Sequence, residues 1–135
     1  MDPQNLHESI VYLSTTIRPH PSGRGFTMSQ APFIRYLLKT WSMSDCRPVV
    51  TPGEVITTVE LPTEGTPDEL DPDDVLMAQK LGGSLIWLST RTRPDICFAQ
   101  SRISSMATKA PKRAMVEGIR VLRYSKGTQN YRLIL

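Results

Sequence analysis

Carboxylates and bases are the residues with the most chemistry to offer in this 135-residue chain. Asp73-Asp74 is the one adjacent aspartate pair, and converging carboxylates of that kind hold the two metal ions of phosphoryl-transfer enzymes. The pair follows Pro72 at a helix start, however, so it reads as first-turn acid facing a positive helix end. His7 and His20 have no Cys or acid at ligand spacing. Cys46 and Cys97 lie far apart with no paired Cys/His pattern, which reads as two reduced thiols without zinc. Ser84 and Ser89 lack a nucleophile elbow and a His/Asp set. Gly82-Gly83 is not followed by Lys-Ser/Thr, so close helix packing is expected there instead of a phosphate loop. No catalytic set, metal site or cofactor is expected.

The bases carry a stronger signal. Between Glu54 and Asp74 every charge is acidic: Glu54, Glu60, Glu64, Asp68, Glu69, Asp71, Asp73 and Asp74. From Arg91 to Lys126 the balance inverts, with only Asp95 and Glu117 among many bases. Such density points either to a polyanionic partner or to a solvated helix surface. The candidate nucleic-acid-binding residues are Arg91, Arg102, Lys109, Lys112, Arg113, Arg120, Arg123 and Lys126. At 100° per residue Lys112, Arg120 and Arg123 fall on one side of a helix, with Lys109 and Arg113 flanking. Core packing is expected for Trp87, with base stacking as the alternative for Trp87 and Tyr124.

These groups need elements to position them. Asp71-Pro72-Asp73-Asp74 opens a helix whose Ala78, Leu81, Leu85 and Leu88 form one apolar stripe. Thr92-Arg93-Pro94-Asp95 has capping-box spacing and opens a second helix with Ile96, Ala99, Ile103 and Met106. Arg93 is expected to pair structurally with a carboxylate, leaving Arg91 as the phosphate contact; the alternative frees both for a phosphate at that helix start. A third helix opens near Pro111, carries Met115, Gly118, Ile119 and Leu122 on its packed face, and stops around Gly127. Upstream, Ile10 to Ile17 reads as a strand, Arg18 to Gly25 as a turn, and Phe26-Thr27-Met28 as a return strand. Ser29 looks like the cap of a helix burying Phe33, Tyr36, Leu37 and Trp41. Arg47 to Asp71 is an acidic, Pro-rich linker, poorly ordered apart from a brief extended piece over Val55 to Leu61. Tyr131 to Leu135 reads as a strand without partner strands. The fold class expected is α+β, mainly α: an N-terminal β-hairpin plus a helix, the linker, then a three-helix group. The corresponding divisions are 1–46, 47–71, 72–128 and 129–135.

The order Gln79-Lys80-Leu81-Gly82-Gly83-Ser84-Leu85-Ile86-Trp87-Leu88, then Thr92-Arg93-Pro94-Asp95-Ile96, then Arg120 to Thr128 resembles the Pol polyprotein of copia-type LTR retrotransposons. Met28-Ser29-Gln30 through Leu38 and Thr51-Pro52 are similar to the stretch just before it, so the resemblance runs from about Ile10 to the C-terminus. It implies the segment joining the end of reverse transcriptase (thumb and connection) to the start of ribonuclease H, with residues 129–135 as the first ribonuclease H strand. The implied partners are an RNA/DNA template–primer duplex, gripped without regard to sequence, and the rest of the polyprotein. The carboxylates of both active sites are missing, so the chain alone is not expected to be an enzyme. The alternative reading is a decayed element acting as a helical structural or protein-interaction fragment. No apolar run approaches the ~20 residues of a membrane span, and a cytoplasmic or nuclear location is expected.

Overall fold

A computed structural model describes residues 10–12, 15–53, 61–66 and 68–134. The fold is α+β and mainly α, as the sequence predicts. Strands β1 (Ile10–Tyr12), β2 (Thr15–Pro19), β3 (Phe26–Ser29) and β4 (Leu133–Ile134) form an antiparallel sheet in that spatial order. Helices α1 (Ala31–Thr40), α2 (Pro72–Arg91), α3 (Cys97–Met106) and α4 (Pro111–Gly127) supply most of the core.

Two strand expectations are corrected. The apolar run from Ile10 to Ile17 is not one strand: β1 and β2 pair with each other, Tyr12 opposite Thr15. The C-terminal strand does have a partner, since Leu133 lies opposite Met28 and Ile134 opposite Thr27. Pairing across a hundred residues leaves no trace in local pattern, so sequence alone gave β4 nothing to pair with. The turn between β2 and β3 forms where expected, closed by the His20 N–H donating to the Gly25 carbonyl at 3.1 Å. Gly23 and Gly25 there have φ of +79° and +75°, a region that favours glycine.

Ser29 Oγ accepts the Ala31 N–H at 3.3 Å, one residue ahead of the N-cap position held by Gln30. The packed face of α1 is Ile34, Leu37 and Leu38, whereas Tyr36 is exposed and Phe33 and Trp41 are half-buried. The sequence reading placed that face one step out of phase, because the apolar side of this ten-residue helix, from Phe33 and Tyr36 to Ile34 and Leu38, is wider than the stripe it buries and leaves its phase to the neighbour it meets. That neighbour is the helical group: Ile34, Leu37 and Leu38 share one core with Leu81, Leu85, Leu88, Ile103, Met106 and Leu122.

The start of α2 follows the sequence closely, with Asp71 Oδ1 accepting the Asp73 N–H at 2.9 Å and Ala78, Leu81, Leu85 and Leu88 all buried. Ile96, Ile103 and Met106 are buried as expected. In α4 the packed residues are Ala114, Gly118, Val121, Leu122 and Ser125, while Ile119 is exposed and Met115 only half-buried. Gly118 decides this phase, for a Cβ there would collide with Leu81 Cδ2 and Cγ. Small surface at Gly118 lets α2 and α4 approach, and the larger Ile119 turns outward. Gly82 likewise faces Ser104 of α3, but Gly83 has open space around it, so only half of the glycine pair serves helix packing.

Candidate nucleic-acid interface

The tightest polar cluster stands at the corner between α2 and α3. Thr92 does not open the second helix. Its N–H still donates to the Leu88 carbonyl, so it caps the end of α2, and its hydroxyl donates to Gln30 Oε1 at 2.8 Å. Asp95 therefore closes no capping box. Instead it takes both Nε and Nη2 of Arg93, at 3.0 and 2.8 Å, across a single turn of 3₁₀ helix, Pro94–Ile96. Arg93 also donates to the Thr128 carbonyl and hydroxyl at 3.1 and 2.6 Å, and its guanidinium carbon sits 5.5 and 5.3 Å from the Tyr124 and Tyr131 ring centres. The Tyr124 hydroxyl donates to Asp95 Oδ2 at 2.6 Å. Only 1% of Arg93 is exposed, so its expected structural pairing is what the fold contains.

Electrostatics at this corner follow from the geometry. Burial pushes the Asp95 carboxyl up, but hydrogen bonds from Arg93 and Tyr124 together with the Arg93 charge hold it below its ordinary value. Burial and the neighbouring carboxylate raise the Tyr124 phenol, so it stays a neutral donor at physiological pH. The cluster fixes the end of α2 to the end of α4. Its Arg93 guanidinium is engaged by Asp95 and Thr128.

The outer face of α3 and α4 is different. A groove of about 620 Å³ lies there, lined by Arg102, Arg113, Arg120 and Arg123 together with Phe98, Val116 and Ile119. Four of the eight bases expected to bind nucleic acid are thus brought to one place. Arg102 donates through Nε to Glu117 at 3.0 and 3.2 Å, and Arg113 approaches the same carboxylate at 3.8 Å. Asp95 also lines the groove, so two acids stand among four arginines and a positive excess remains.

Arg91, Lys109, Lys112 and Lys126 are placed elsewhere, and even within the groove Arg120 and Arg123 are not the free outward row that helical periodicity predicts. Arg123 Nε donates to the Arg47 carbonyl at 2.7 Å, Arg120 Nη2 to Thr51 Oγ1 at 2.9 Å, and Lys126 Nζ to the Ser44 and Cys46 carbonyls. These side chains lash the 44–51 segment onto α4, and Pro48 packs where a Cβ on Gly127 would fall. Arg91 lies over the Trp87 ring, 3.9 Å from its centre, one helical turn away. Lys109 and Lys112 are exposed and flank the start of α4, where Glu64 accepts the Lys112 and Arg113 N–H groups at 3.1 and 2.7 Å. Ala110 offers no side-chain cap, so the acidic segment supplies one from 46 residues upstream (110 − 64). The described part of the 47–71 stretch is accordingly docked, whereas the extended piece expected over Val55 to Leu61 falls mostly outside the described residues.

Phe98 is the groove residue that sequence reasoning missed. It stands 73% exposed, off the Ile96–Ala99–Ile103–Met106 stripe, and that phase was the available signal. Among the described residues no group of three or more His, Cys, Asp or Glu could hold a metal ion, and no helix is long and apolar enough to cross a membrane.

No family model matches the sequence, and no solved structure matches it. The chain is similar to the uncharacterized mitochondrial protein AtMg00810 of Arabidopsis thaliana, 34% identical over 118 residues. The match covers 87% of this chain and 45% of that protein, so the chain spans less than half of its relative's length while the similarity runs through both the sheet and the helical group.

Proposed function

We propose that the chain is a retroelement-derived segment, of the kind that joins reverse transcriptase to ribonuclease H in copia-type Pol polyproteins, and that its α3–α4 face contacts the phosphate backbone of a template–primer duplex. The observation that carries this reading is the convergence of Arg102, Arg113, Arg120 and Arg123 on one groove beside the exposed Phe98. Guanidinium groups meet phosphate oxygens in paired, planar geometry, and such contacts position a duplex without reading its sequence. Arg123 and Lys126 donate to neutral carbonyls, which engages their N–H groups but cancels none of their charge. The field of the face therefore survives its internal hydrogen bonds.

In this reading the chain grips and does not catalyse, the polymerase and ribonuclease carboxylates belonging to other parts of a polyprotein. Purified chain supplied with primed template, nucleotides and Mg²⁺ should extend nothing and leave an RNA–DNA hybrid intact. Binding of a DNA or RNA–DNA duplex should be indifferent to sequence, with log affinity falling by about 0.9 per phosphate contact per unit log salt on B-DNA. Three to five contacts would give a slope of roughly −3 to −5. A slope near zero, or no binding at low salt, would move the reading to a helical protein-interaction fragment.

A further inference from the structure

A second cationic site lies on the sheet, away from the residues of the helical groove. In the β2–β3 pair Thr16 stands opposite Ser29 and Arg18 opposite Thr27. Alternate strand residues share a face, so these four are on the same side of the sheet. There they line a pocket of about 220 Å³, joined by Arg35 of α1 and Arg132 at the threshold of β4. Three guanidinium side chains thus converge from β2, α1 and the C-terminal segment. None of the three has a hydrogen bond or ion pair from its side chain to another described residue, and no acidic residue among the described residues lines the pocket. Everywhere else that arginines gather in this fold, Asp95 or Glu117 stands among them.

Convergent like charges repel, and a pocket that collects three with no counter-charge among the described residues is complementary to an anion. The rest of the lining agrees with that sign. Thr16 and Ser29 offer hydroxyls, and the pocket includes the start of the ten-residue α1, whose positive end faces an incoming anion favourably. The volume falls below the roughly 300–1,000 Å³ of pockets that enclose drug-sized ligands. It has room for a tetrahedral oxyanion. We infer that Arg18, Arg35 and Arg132 form a phosphate-binding site, for a phosphate group of a nucleic acid chain or for free phosphate. The site shares no residue with the α3–α4 groove and stands whether or not that groove binds a duplex.

Inorganic phosphate titrated into the full chain, followed by amide NMR, tests this directly. Saturable shifts are expected at Thr27, Ser29 and Ala31, at lower phosphate concentration than any shifts of the α3–α4 amides. Arg18→Gln, Arg35→Gln and Arg132→Gln each remove one charge-assisted contact and should weaken binding about tenfold. All three side chains are exposed, so the variants should keep the parent's amide spectrum, which serves as the folding control. Absence of shifts in the sheet, or three variants that bind phosphate like the parent, overturns the site. A short oligonucleotide then identifies the source. Shifts of the same amides at lower concentration than inorganic phosphate assign the site to nucleic acid, and shifts with inorganic phosphate alone assign it to the free anion. Arg113→Gln should weaken duplex binding without moving the phosphate titration, so failure of the groove and failure of the pocket remain distinguishable.

Discussion

The two ends of this molecule treat positive charge in opposite ways. In the helical group the bases are dense in sequence, yet the fold spends many of them internally. Arg93 is locked to Asp95 and Thr128, Arg102 to Glu117, and Arg123 and Lys126 to the carbonyls of the 44–47 segment. On the sheet the arginines are sparse, separated by 17 and 97 residues along the chain (35 − 18 and 132 − 35), and pairing β3 with β4 gathers them with no counter-charge among the described residues. Charge density along a chain and charge available to a partner are therefore separate quantities. The first belongs to composition, and the second depends on which acceptors tertiary contacts deliver.

Breaking the internal use of charge should have the largest effect. Arg93→Ala strands the Asp95 carboxylate and two acceptors on Thr128, and loss of one partner from a buried pair costs about 3–5 kcal/mol. Because Asp95 is partly exposed, the lower end of that range is expected in urea unfolding. A loss below about 1 kcal/mol would mean that the corner does not hold α2 to α4.

Packing at the same helices separates two glycines. Gly118→Ala pushes a Cβ into Leu81 and should cost about 1–3 kcal/mol, reduced by the better helix propensity of alanine. Gly83→Ala meets nothing within 4 Å and should stabilise by up to about 1 kcal/mol. Equal effects of the two substitutions on the thermal midpoint would contradict the α2–α4 crossing described here.

Glu64 sharpens the contrast between structural and available charge. Glu64→Ala removes the acceptor at the start of α4 and should cost about 1 kcal/mol of stability. It should also tighten duplex binding at low salt, since a carboxylate leaves the neighbourhood of Lys109, Lys112 and Arg113. Weaker duplex binding by a folded variant would place the interface elsewhere.

The smallest effect is expected from pH. Asp95 has a depressed folded value, so its contribution is fully present above its unfolded value of about 3.9 and is lost as pH falls through the folded value. Parent stability should fall more steeply than that of Asp95→Asn below about pH 4, as read from denaturation midpoints. Parallel acid limbs would show that Arg93 stabilises Asp95 no better in the fold than in the unfolded chain.

Much of this is legible in the sequence. Asp71 and Pro72 specified the start of α2, and the three- and four-residue spacing of Ala78, Leu81, Leu85 and Leu88 specified its buried stripe, because capping and periodicity act within a few residues. The helix starts at Pro111 and the turn through Gly23 and Gly25 are local in the same sense. What the chain alone left open were choices among near-equivalent alternatives. Whether α4 buries Ile119 or Val121 beside Gly118 depended on how closely Leu81 approached. The capping-box spacing made Thr92 the start of a helix, but it ends α2 because Gln30 takes its hydroxyl and Arg93 holds Asp95. The partner of β4, the cap that Glu64 brings to α4, and the gathering of Arg18, Arg35 and Arg132 all join residues far apart in sequence. Only the packed chain sets those distances, and charge–charge and hydrogen-bond energies are decided by distance.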